Sequence, residues 1–165
     1  MSTHTADPAL DFALKCVVTV RDEYGKDEKG RDVQKKFRTR CRHLIESIYY
    51  SGLTYTLAYV ASKAGGAVFE QVLKDPKPEA ITIVRHVKEK VRGSEEASSY
   101  ALYGAFLLAL LKQMEVSEVA NANTILDVLK NVNTSATAVI AEERALKFAE
   151  WLKRLAESVF EAEQV

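Results

Sequence analysis

The stretch between Gly93 and Met114 narrows the possible folds more than any other. It carries Ala97, Tyr100, Ala101, Gly104, Leu107, Leu108 and Leu111 at helical spacing, and it includes the longest apolar run of the chain, Ala105 to Leu111. A helix this apolar belongs at the centre of a bundle, ringed by amphipathic helices. Ser94 is its predicted N-cap, with Glu95 and Glu96 near the positive end of the helix dipole. The run is far too short to span a membrane.

The rest of the chain supplies amphipathic partners. Asp7-Pro8 is a helix start, with Asp7 as N-cap and Pro8 at the first helical position. Phe12, Ala13, Cys16, Val17, Val20 and Tyr24 then form a buried face that stops at Gly25. A charged loop is expected over 26–30, then a helix over about 32–50. Ser51-Gly52 breaks it, and the next helix runs over about 53–63. Breaks at 64–66 and 75–78 bracket a short helix over 67–74. Residues 79–91 repeat Val84, Val87 and Val91 on one side. The β-branched Ile81 to Val84 would also suit a strand, but no partner strand is evident, so helix is expected. Further helices are expected over 117–130 and about 136–161. Residues 1–6 are expected to be a flexible tail. The chain therefore reads as all-α: a compact single-domain helical bundle of about six helices with short loops, over residues 1–165.

At 165 residues, such a domain hides roughly 70% of the surface its unfolded chain exposes, so no staple is required. Cys16 and Cys41 have no CxxC spacing and fall on apolar faces, which reads as two buried thiols. Charges and Pro8 precede any apolar run at the N-terminus, so a cytoplasmic protein is expected. No GxxxxGK[ST], HExxH or GxSxG is present. His4, His43 and His86 are scattered, and none has a glutamate three residues before it. No enzyme, metal or cofactor is indicated.

The functional signal is a row of cations. Arg31, Lys35, Arg38 and Arg42 recur by four, three and four residues, a stripe beside the apolar positions Phe37, Cys41, Leu44, Ile45 and Ile48. From Arg31 to His43 there are six basic residues and one acid, although the whole chain is neutral. Like charges at helical spacing repel by tenths of a kcal/mol per pair. Glu46 alone continues the row as an acid, so pairing within the helix cannot neutralise it. Such a row is either solvated or kept for an anion, and it tracks phosphates without reading bases. Arg40 lies on another face as an auxiliary. Tyr49 and Tyr50 follow and would stack on bases if exposed, though packing is expected for at least one of them.

In the last helix, Ala141, Ala145, Phe148, Leu152, Leu155 and Val159 make one side. Glu143 with Lys147, and Glu150 with Arg154, are acid-before-base pairs on a wet face. Arg144 projects near Phe148 and Trp151. It reads either as a boundary arginine lying on those rings or, together with Trp151, as a subunit contact.

Several motifs resemble a known family. Phe37-Arg38-Thr39, Arg42-His43-Leu44, Ser51-Gly52-Leu53 and Thr56-Leu57-Ala58-Tyr59, with Trp151-Leu152-Lys153-Arg154-Leu155-Ala156 near the end, look like the small helical fifth subunit of the Cmr complex of type III-B CRISPR effectors. Ser51 stands where that family has asparagine, Ile45 where it often has proline, and Ala138-Val139 where it usually has a tyrosine-arginine pair. The resemblance implies a non-catalytic subunit of an antiviral complex. It would stack in an inner filament beside other Cmr subunits and copies of itself, with backbone contacts to guide RNA and target RNA through Arg31, Lys35, Arg38, Arg42 and Arg40. A helical scaffold that binds only protein remains the alternative.

Overall fold

The structure, a computed structural model, describes residues 6–91 and 93–164, so most of the expected tail, with His4, lies outside the described residues. Among the described residues there are nine helices and no strand: α1 (Pro8–Tyr24), α2 (Glu28–Ser51), α3 (Leu53–Ala64), α4 (Ala67–Lys74), α5 (Ala80–Lys90), α6 (Glu95–Gln113), α7 (Ser117–Ala120), α8 (Ile125–Thr134) and α9 (Ala138–Val159). None of them is long and apolar enough to cross a membrane.

Helix α6 is buried without interruption from Ser98 to Leu111. The Ser94 hydroxyl accepts from the Ala97 N–H at 3.1 Å and caps its start. Helices α2, α3, α4, α5 and α9 pack around it. An aromatic chain fills the space between layers. Phe12 stacks on Phe148 at 5.7 Å and meets Phe106 edge-on, and Phe37 meets both Phe106 and Phe160 edge-on. Gly104 is where α3 and α4 come closest. A Cβ there would lie 2.7 Å from side-chain carbons of both Val60 and Phe69.

The all-α expectation holds, with more helices than the six expected and with shifted ends. Helix α2 begins at Glu28, because the Asp27 carboxylate accepts from the Gly30 N–H at 3.1 Å. The expected 26–30 loop thus shrinks, and Gly30 lies inside the helix. It is glycine because a Cβ would collide with the Tyr24 carbonyl oxygen. The expected 117–130 helix is two helices, since Thr124 and Asp127 form a capping box that starts α8 afresh. Residues 81–84 are helical, with Ile83 and Val84 buried.

Helix α9 turns its small residues inward. Ala149 and Ala156 are buried, whereas Val159 is exposed and Leu155 only half-buried. It ends at Val159 rather than Glu161, and Phe160 leaves in an extended conformation. The Arg154–Glu150 pair forms at 3.0 Å, but Lys147 goes to Asp7 at 3.8 Å instead of Glu143.

Among the described residues one side-chain carboxylate is buried. Glu118 of α7 accepts from the hydroxyls of Ser135 at 2.6 Å, Thr137 at 2.5 Å and Ser117 at 3.2 Å. It thereby pins α7 to the connection between α8 and α9. The Ser135 and Thr137 hydrogen bonds hold its pKa below the ordinary glutamate value.

Two outcomes follow for stability. Gly104→Ala should cost about 1–3 kcal/mol by overpacking, even though alanine is the better helix former by about 1 kcal/mol; urea unfolding measures it. Glu118 contributes stability that is present above its unfolded pKa, about 4.3, and is lost as pH falls through its lower folded value. Glu118→Gln should flatten that acid-side loss in melting curves taken between about pH 3 and 6.

Candidate nucleic-acid interface

Helix α2 presents three kinds of surface. Val33, Phe37, Cys41, Leu44 and Ile48 face the core. On one flank, Lys36, Thr39 and Arg40 turn towards α6 and the C-terminal segment. On the other lie Arg31, Lys35, Arg38 and Arg42, the predicted row.

The structure sorts these cations by what they already touch. Arg40 is engaged within the chain. It donates from Nε to Ser99 Oγ at 3.2 Å and from Nη1 to the Tyr100 hydroxyl at 2.7 Å. Its guanidinium carbon is 4.2 Å from the Tyr100 ring centre, and Glu96 pairs with it at 3.8 Å. Lys36 donates to Glu163 at 3.1 Å, and the Thr39 hydroxyl donates to the same carboxylate at 2.6 Å. The Thr39 hydrogen bond depresses the Glu163 pKa, and the bond to Glu163 raises that of Lys36. Lys35 lies 3.8 Å from Glu161.

The remaining row residues are less committed. Arg31 and Arg42 are exposed and form no ion pair among the described residues. Arg38 is half-buried, and its Nε–H is covered and meets no acceptor among the described residues, an arrangement that costs about 1–3 kcal/mol. Tyr49 and Tyr50 are 68% and 81% exposed, so neither packs as expected for at least one of them. With Ile45 and Leu146 they wall an open cleft of about 420 Å³.

Arg144 and Trp151 are used internally. Arg144 donates to the Met114 carbonyl at 3.2 Å, closing the C-terminal end of α6, where a cation is favourable. Trp151 donates from Nε1 to Asp7 at 3.2 Å and ties α9 to the start of α1. Among the described residues there is no cluster of histidine, cysteine, aspartate and glutamate that would hold a metal ion. His43 is exposed; His86 is half-buried, and burial lowers its pKa.

Two groups escaped sequence reasoning. Arg21 and Lys26 share a cleft of about 400 Å³ with Arg31 and Lys35. Only the turn of the chain after Gly25 brings them together. Glu161 and Glu163 fold back onto α2, which no helical periodicity foretells.

Among the described residues the fold defines a small all-helical protein. Over residues 7–159 the chain matches the family described as CRISPR-associated protein (Cas_Cmr5), and it belongs to that family. It is 29% identical over 145 residues to the CRISPR system CMR subunit Cmr5 of Saccharolobus solfataricus, covering 82% of this chain and 83% of that relative. A chain in the cryo-EM structure of the type III-B Cmr-beta complex bound to non-cognate target RNA shares its fold. The TM-score is 0.66 at 25% identity, covering 96% of this chain and 100% of that one. A chain in the complex bound to cognate target RNA and AMPPnP gives 0.62 at 26% identity, covering 94% and 96%. The family read from the motifs of α2, α3 and α9 is therefore the right one.

Arg40→Ala should act on stability rather than on binding. Removing both hydrogen bonds and the packing on Tyr100 should cost about 2–3 kcal/mol in urea unfolding. Arg42→Ala, at an exposed position, should stay within about 0.5 kcal/mol of the parent.

Proposed function

We propose that this chain is a non-catalytic subunit of a type III-B Cmr effector complex, and that it holds target RNA, or the guide–target duplex, by its backbone through Arg31, Lys35, Arg38 and Arg42. Family membership and the two solved chains from target-RNA-bound complexes support the complex. The observation that carries the contact is the row itself, whose end members Arg31 and Arg42 are exposed and form no ion pair among the described residues. A row of point charges grips phosphates and ignores sequence. That suits a machine whose specificity comes from base pairing. Arg40 is set apart from the RNA-binding set, because its Nε and one Nη1 donor already bond α6.

A second reading rests on a different surface. Tyr49 and Tyr50 are exposed and share an open cleft with Ile45 and Leu146. An apolar surface of this kind fits a contact with another subunit or a second copy of the chain. A protein-only scaffold would use that patch and leave the row solvated.

Charge reversal separates the two. Lys35→Glu with Arg38→Glu should weaken binding of single-stranded RNA by the assembled complex, with melting temperature and subunit incorporation unchanged. The parent salt slope should be roughly −3 if four phosphates of a single strand are engaged, and shallower in the variant by about 0.7 for each phosphate it no longer holds. Equal binding by parent and variant across the salt series would leave the scaffold reading in possession.

A further inference from the structure

The C-terminal segment meets α2 in a way the proposed function does not use. Phe160 is buried edge-on against Phe37 at 6.0 Å, which anchors the segment at the end of α9. Beyond that anchor the chain lays two carboxylates on the cations of α2. Glu163 is held by two partners, Lys36 and Thr39. Glu161 is held by one, Lys35, at 3.8 Å, and its side chain is 76% exposed. An exposed ion pair at that distance contributes about 0–1 kcal/mol. The outer carboxylate is therefore attached loosely and the inner one more firmly.

Glu161 also stands in the cleft between the end of α1 and the start of α2. Arg21 and Lys26 come from one wall, and Arg31 and Lys35 from the other. Asp22 is paired with Arg21 at 3.0 Å. The walls are fixed in place, because Gln34 donates to the carbonyls of Gly25 and Gly30 at 2.6 and 3.2 Å and so locks the turn between the helices. Four cations thus line one hollow together with two carboxylates of the chain itself, Asp22 on Arg21 and Glu161 on Lys35.

We propose that this α1–α2 cleft is the principal phosphate seat of α2, and that Glu161 in the cleft, with Glu163 outside it on Lys36 and Thr39, are built-in competitors for the cations of that helix, which a phosphodiester backbone must displace. The proposal rests on the RNA-contact reading above and deepens it. A phosphate reaching Lys35 meets the Glu161 carboxylate beside the same ammonium, and the two anions repel. Exchange is stepwise: Glu161 yields first because it has a single weak partner, and Glu163 gives up Lys36 and Thr39 later. Phe160 stays in the core throughout, so the segment swings without unfolding α9. The tethered carboxylates lower the affinity for short or isolated anions. A long polyanion that also engages Arg38 and Arg42 outcompetes them by binding at many points at once.

The test is fluorescence anisotropy of the full chain with a 5′-labelled oligouridylate of about 20 nucleotides, run over a salt series from about 20 to 200 mM. Four proteins are compared: the parent, Glu161→Gln with Glu163→Gln, Arg21→Glu with Lys26→Glu, and Lys35→Glu with Arg38→Glu. Thermal melting confirms that each is folded; glutamine keeps an acceptor for Thr39. The glutamine variant should bind about 3–10-fold more tightly at low salt, with a slope steeper by about 0.7 for each additional phosphate engaged. Arg21→Glu with Lys26→Glu should weaken binding about as much as Lys35→Glu with Arg38→Glu. Unchanged or weaker binding by the glutamine variant, while Lys35→Glu with Arg38→Glu still weakens it, overturns the competitor. Unchanged binding by Arg21→Glu with Lys26→Glu, against the same control, overturns the cleft. If none of the substitutions alters binding, the RNA-contact reading itself fails, and the proposal falls with it.

Discussion

Burial of α6 from Ser98 to Leu111 is the constraint on which the rest of the molecule depends. Every residue of that stretch is withdrawn from water, so the helices around it must each give it an apolar face. Approach is closest at Gly104, where the missing side chain lets α3 and α4 close in. Interiors packed this densely leave little freedom to the helices around them. Helix α2 is thereby fixed in rotation. One stripe of it is spent on the core, and its two flanks inherit whatever polar residues remain. The charge pattern of the surface is thus set by packing that lies beneath it.

Periodicity and caps made most of the helices legible. Asp7 accepts from the N–H groups of Ala9 and Leu10, and Ser94 from that of Ala97, as their positions in sequence implied. What escaped were features whose cause lies in another element. Gly30 reads as a loop residue until the Tyr24 carbonyl is placed against it. The end of α9 reads as a longer helix until Phe160 turns to meet Phe37. The two inward alanines of α9 lost out in reading to Leu155 and Val159, because volume was weighed above the close approach of neighbouring helices.

The candidate interface was legible as a row and not as a set of roles. Spacing alone puts Arg31, Lys35, Arg38 and Arg42 together. It cannot reveal that Arg40 is matched by Ser99, Tyr100 and Glu96, some sixty positions away in sequence. Nor can it show that Lys35 and Lys36 face carboxylates from the far end of the chain. The three-dimensional arrangement divides the cations of α2 into those engaged within the bundle and two, Arg31 and Arg42, that form no ion pair among the described residues. Arg144 and Trp151 of α9 likewise each bond the end of another helix while staying half-buried.

The chain as a whole carries no net charge, while the segment from Arg31 to His43 is strongly positive. Such a body is an electric dipole rather than a monopole. Beyond the Debye length, about 8 Å at physiological ionic strength, it neither attracts nor repels a distant polyelectrolyte. Within that range the torque on the dipole turns α2 to the front before any atoms touch. Its charges govern how it faces a nearby polyanion more than how far away it feels one.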